Sequence, residues 1–102
     1  MTEQNKSETV PDITRVFKGA RNEFEVEIVF AKENNQSPKE AHTYDEIIVV
    51  TDGVIELERS DRERIETHSK YDYIFLPKDT VHQITIKEVP VKVVIIHPDR
   101  QE

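Results

Sequence analysis

The sequence has no cysteine and no tryptophan, only two glycines, and few aromatic residues, 7% of its 102 positions. Each scarcity excludes something. Without cysteine there are no disulfides and no thiolate ligands, so a stapled secreted scaffold and a cysteine-based zinc site both fall away. With Gly19 and Gly53 as the only glycines, no glycine-rich loop can cradle a phosphate. Apolar runs such as Ile47–Val50 and Val93–Ile96 are far short of the roughly 20 residues a membrane helix needs. No signal-peptide-like apolar region opens the sequence, which points to the cytoplasm. A helical apolar stripe is also missing: the stretch 59–68 is polar enough for a surface helix but has no face to bury.

Charge is abundant instead. Acidic residues number 21 against 14 basic ones, a formal charge of −7, with a pI near 5.1. That balance disfavours nucleic acid and anionic membranes as partners and leaves room for a cation. Length and composition indicate one small domain: a tail at 1–11, then a single domain over 12–102. Hydrophobic residues make up 35% of the chain. Ordering about a hundred residues costs on the order of 100–200 kcal/mol of conformational entropy, so so lean a core gains from a bound metal or a partner subunit.

From Ile13 onward the dominant period is two, the mark of half-buried strands. Phe24, Val26, Ile28 and Phe30 alternate with Glu25, Glu27 and Val29. Residues 34–38 read as a loop. A β-branched run over 46–51 leads into Asp52-Gly53, a strong hairpin signal, with a returning strand over 54–58. Short strands are expected at 64–67 and 71–76, the latter closed by Pro77. His82, Ile84 and Ile86 share a face of the next strand; Val91, Val93, Ile95 and His97 share a face of the last. Strands of this length and spacing mean a sandwich or a barrel.

Chemistry concentrates in two places. Glu40 and His42 are two residues apart, so in an extended strand they project from one face about 6.7 Å apart and can lean onto a single ion. Glu46 can join them only if the chain bends near Thr43-Tyr44-Asp45 and Glu46 begins the following strand. His82 follows the turn at 77–80, which can return a distant strand across the same cavity. Two imidazoles with one or two carboxylates suit divalent iron, manganese, nickel or zinc.

Glu40-Ala41-His42, three residues, Glu46, six residues and Gly53 resemble the first conserved motif of the cupin superfamily, and Asp72, Pro77, Asp79 and His82 resemble the second. The two motifs and the segment between them span 34–86, about half the chain. The resemblance implies an all-β fold, an antiparallel double-stranded β-helix or jelly-roll barrel, with a divalent metal in its mouth. It carries His42, Glu46 and His82 over as metal ligands, with Glu40 as a fourth ligand where the motif has its leading histidine. The chain departs from the motifs elsewhere too: Asn34, Tyr71 and Asp79 stand at glycine positions and Ile86 stands for an asparagine. The implied activities are those of metal-dependent dioxygenases, isomerases or lyases acting on a small oxygen-rich ligand. The alternative is a non-catalytic small-molecule-binding or sensing module with a degenerate or empty metal site.

Three further readings concern the remaining side chains. His97 is in phase with the last strand's apolar face, which can place it in the cavity, although near a chain end such a residue more often caps the barrel or meets water; His68 reads as a plain loop residue. Tyr44, Tyr71, Tyr73 and Phe75 are pocket-lining candidates, with Tyr73 and Phe75 better explained as aromatics buried against the opposite sheet. The stretch 89–96 is apolar at both parities, and the face turned away from a barrel interior then calls for a second subunit, hence a homodimer.

Overall fold

In the computed structural model, residues 12–19 and 23–99 are described; the expected tail at 1–11 lies outside them. Six strands form: β1 (Asp12–Lys18), β2 (Glu25–Ala31), β3 (Glu46–Arg59), β4 (Glu66–His68), β5 (Tyr73–Leu76) and β6 (His82–His97). All pairings between them are antiparallel, and the described residues contain no helix. No helix is therefore long and apolar enough to cross a membrane among them.

Two long strands organise the barrel. The first half of β3 pairs with β5 and with the end of β6, whereas its second half pairs with β4 and with the start of β6. One layer accordingly reads β1-β2-β6-β3-β5 and the other β6-β3-β4, with β3 and β6 bending from one into the other. The expected hairpin at Asp52-Gly53 is absent, because β3 runs straight through it. Gly53 does have the positive φ (84°) that the dipeptide signalled, but it serves the bend: a Cβ there would lie 2.5 Å from the carbonyl oxygens of both Glu88 and Pro90. Register shifts between Val50 and Ile55 mark the same place. Likewise the two strands expected over 82–97 are one.

The core consists of Ala31, Ile48, Val50, Ile55, Leu57, Ile74, Leu76, Val91 and Val93, with Val29, Ile84, Ile86 and Ile95 packed against it. These positions follow the strand period of two, and the same parity carries Glu25, Glu46, Arg59, His82 and His97 inside. In β2 the apolar positions 24, 26, 28 and 30 do not provide the buried face; Glu25 and Ala31 are its buried residues. Tyr73 and Phe75 also differ from expectation. They are 78% and 51% exposed, because on β5 it is Ile74 and Leu76 that face the core. The register then assembles an outward apolar surface, with Phe17, Val26, Ile96, Ile47 and Phe75 in one cross-strand row. Ile28, Val94, Val49 and Tyr73 make the next.

Candidate metal centre

The bend expected after His42 occurs at Thr43 and Tyr44, and Glu46 is the first residue of β3. Two loops are stitched together at this end of the barrel. Glu40 and His82 exchange backbone hydrogen bonds in both directions (3.1 and 2.9 Å), the Asp79 amide donates to the His42 carbonyl at 2.7 Å, and the Lys78 amide donates to Asp45 Oδ1 at 2.9 Å. Tyr71 and Asp79, which stand where the motif has glycine, both take positive φ (76° and 66°). The turn conformation is kept although the glycine is not, and a bulky residue such as Tyr71 holds it under strain.

This stitching converges three of the four sequence-identified residues. His42, Glu46 and His82 each offer a ligand atom, and these atoms lie within 4.8 Å of one another. Two ligands of one ion can be separated by at most twice a bond length, about 4.2 Å, so side-chain movements of a few tenths of an ångström close the set. Glu40 stands at the rim: its side chain is 44% exposed, with Oε1 3.4 Å from His42 Nε2.

The electrostatics of the set is unusual for groups so deeply buried. His82 and Glu46 are each 7% exposed at the side chain. His82 Nδ1 lies 3.0 Å from the Thr80 carbonyl, which can only accept, so Nδ1 is the donor in this contact and Nε2 is the ring nitrogen turned into the site. Nε2 lies 3.5 Å from Glu46 Oε1, and Oε1 has no hydrogen-bond partner. A buried carboxylate oxygen without a hydrogen bond is costly, and a cation between it and the imidazole nitrogen would relieve that cost. His42 stacks on Tyr44 with ring centroids 4.9 Å apart and planes 6° off parallel, and lies 5.3 Å from the His82 ring. Tyr44 is therefore at the site, whereas Tyr71 and Tyr73 are exposed on the outside.

Two further residues lie at the site: His97, for which the phase of its strand left the cavity open as one position, and Glu25, which was not anticipated. His97 is buried rather than turned to water, with Nδ1 3.0 Å from Glu25 Oε1 and Nε2 2.9 Å from Glu46 Oε2. Glu25 is fully buried. The signal for His97 was its phase with Val91, Val93 and Ile95; Glu25 then follows from the register, since it is the cross-strand partner of His97.

His68, at the end of β4, belongs to a different cluster. Its Nε2 lies 2.9 Å from Glu66 Oε1, and Glu66 also meets Arg62 and Arg59. The buried Arg59 guanidinium donates from Nε and Nη2 to the two oxygens of Asp61 (2.6 and 2.9 Å) and from Nη2 to the Phe75 carbonyl (2.9 Å). The hydrogen bond from Arg59 holds Asp61 below the usual carboxylate range, and the bond to His68, with help from Arg62, does the same for Glu66.

Comparison with known proteins agrees with this architecture. No protein-family model matches the chain, and no curated protein matches it. Solved structures do. KdgF from Halomonas sp. superposes with a TM-score of 0.79 at 17% identity, over 99% of this chain and 86% of that one. An RmlC-like cupin family protein with a double-stranded β-helix fold from Methanocaldococcus jannaschii gives 0.75 at 11% identity, over 96% and 88%. The DMSP lyase DddQ from Ruegeria pomeroyi DSS-3 gives 0.75 at 14% identity; it aligns with 87% of this chain, which spans about half (47%) of the lyase. The strand order, the layer-crossing strands and these superpositions together show that the chain has the fold of a small cupin domain.

Proposed function

We propose that this chain is a metal-binding cupin domain in which His42, Glu46 and His82 hold a divalent transition metal in the barrel mouth. Glu40 closes in as a fourth ligand from the rim. The observation that carries the reading is that His82 Nε2 faces Glu46 Oε1 at 3.5 Å while Oε1 has no hydrogen-bond partner. Two imidazoles and one or two carboxylates suit iron, manganese, nickel or zinc. Such an ion supplies Lewis acidity toward an oxygen-rich small molecule entering the mouth. The chain's own residues do the rest: Thr80 fixes the His82 tautomer, and the Tyr44 stack sets the plane of His42. The metal-dependent dioxygenase, isomerase and lyase classes all fit this set; one protein with the fold is itself named a lyase.

The test is elemental analysis of protein reconstituted separately with each of the four metals. About one ion per chain is expected, with loss in His42→Ala and His82→Ala. Folded wild-type protein holding less than a tenth of an ion per chain with every metal would overturn the assignment. Turnover by the loaded protein then separates an enzyme from a non-catalytic binding module.

We further propose that the chain is a cytoplasmic homodimer joined through the outward face of β1, β2, β6, β3 and β5. Its two apolar rows make a contiguous patch of a kind that monomers seldom expose. Sedimentation should give twice 12.0 kDa for the wild type and a single chain for Val49→Lys, at the centre of the patch. A wild-type species of 12.0 kDa at micromolar concentration refutes the dimer.

A further inference from the structure

A row of three ionisable side chains crosses the inner face of the barrel beside the metal set. Glu25 on β2 pairs in register with His97 on β6, and Glu46 on β3 lies one position beyond the Ile47–Ile96 pair. The three side chains are stacked by sheet geometry, which brings directly opposed Cβ atoms to about 4.5–5.5 Å. All are buried, and each nitrogen of His97 faces a carboxylate oxygen. Both contacts are hydrogen bonds only when two protons are shared among the three groups. Replacing such a buried ionic row by well-packed apolar side chains is often neutral or stabilising, so folding alone gives it little reason to exist.

We propose that His97, braced by Glu25, is a positioning residue that decides which oxygen of Glu46 meets the metal. The inference rests on the metal-binding reading above. A carboxylate with two free oxygens can rotate, chelate with both, or swing away. In Glu46, Oε2 is tied to His97 Nε2 at 2.9 Å, and the planar group then points Oε1 at His82 Nε2. Glu46 is thereby presented as a one-oxygen ligand, which keeps coordination positions open for an incoming molecule. Glu25 holds the far nitrogen of the ring at 3.0 Å, so the ring cannot turn away from Glu46. Groups that orient a metal ligand in this manner typically contribute 10–100-fold to affinity.

The test loads the full chain with Mn²⁺ alone. It reads affinity by chelator competition, site geometry by electron paramagnetic resonance, imidazole count by X-ray absorption, and metal-free stability by thermal melting. His97→Leu should weaken Mn²⁺ binding 10–100-fold and alter the resonance spectrum; it also strands the buried Glu25 and Glu46, so the metal-free protein should melt lower than wild type. His97→Gln, whose side-chain amide can still donate to Oε2, should recover most of the affinity. Glu25→Gln should weaken binding at least threefold. If His97→Leu does not fold, Glu25→Gln decides: wild-type affinity and spectrum there overturn the proposal. So does Mn²⁺ affinity within twofold of wild type in folded His97→Leu, and so do three imidazoles on the metal, which would make His97 a ligand. In these cases the wild type still binds metal and the functional reading survives; a wild type that takes up no Mn²⁺ overturns both.

Discussion

Two ionic clusters sit side by side, for Arg59 and His82 are direct cross-strand partners, yet they are built on opposite logic. Around Arg59 opposite charges meet within the chain. The guanidinium grips both oxygens of Asp61 and a backbone carbonyl, while Glu66 is shared by His68, Arg62 and Arg59. Around His82 the pieces are carboxylates and imidazoles, Glu46 faces His82 and His97, and one of its buried oxygens has no hydrogen-bond partner. The first cluster is complete as it stands. The second leaves Glu46 Oε1 without a hydrogen bond, and on the reading proposed above a cation from outside would complete it. Carboxylates and histidines occur in both clusters, and what separates the two is the arginine charge found in the first.

Three experiments probe that contrast. The largest effect belongs to the mouth: with free metal at about a thousand times its dissociation constant, wild type should gain about 4 kcal/mol of stability. His82→Ala should gain none. Parallel melting curves with and without metal check both statements. Next is Arg59→Ala, which strands Asp61 and Glu66 and should cost about 2–3 kcal/mol by denaturant unfolding. That is below the range for a fully buried pair because the Asp61 side chain is 38% exposed. Unlike the His82 variant, it should still take up metal. The smallest effect is on acid sensitivity. The folded protein holds Asp61 and Glu66 below their ordinary pKa values, so their stabilisation is fully present above the ordinary carboxylate range and is lost as pH falls through the folded values. Asp61→Asn should flatten the acid limb of the metal-free stability curve, and an unchanged limb in a pH series of melting temperatures would contradict it.

How far the sequence reveals this design depends on how local each signal is. Spacing put Glu40 and His42 on one face, but a straight chain keeps Glu46 too far away; a bend and the turn before His82 only allowed the set to meet, and the resemblance to the cupin motifs picked out His42, Glu46 and His82. Glu40 illustrates the limit: spacing placed it on the right face, but only the fold shows it at the exposed rim. Glu25 was hidden because β2 carries larger apolar residues on its outer face than on its inner one, so periodicity alone pointed the wrong way. The same reversal explains Tyr73 and Phe75, whose hydrophobicity serves the outer surface. At Gly53 the positive φ was readable, but a tight hairpin and a bend within one strand require the same backbone angle; only the pairing of β3 with both halves of β6 distinguishes them.

Because β3 and β6 each run through both layers, neither layer can open while the other stays shut. Separating residues 46–50 from both β5 and the end of β6 strains the rest of the same strand, which continues without interruption into 54–59. Hydrogen exchange should therefore find one cooperative unit, with the amides of Ile48 and Leu57 opening at the same free energy despite lying in different layers. An ion joining Glu46, near the start of one long strand, to His82, at the start of the other, would slow both together.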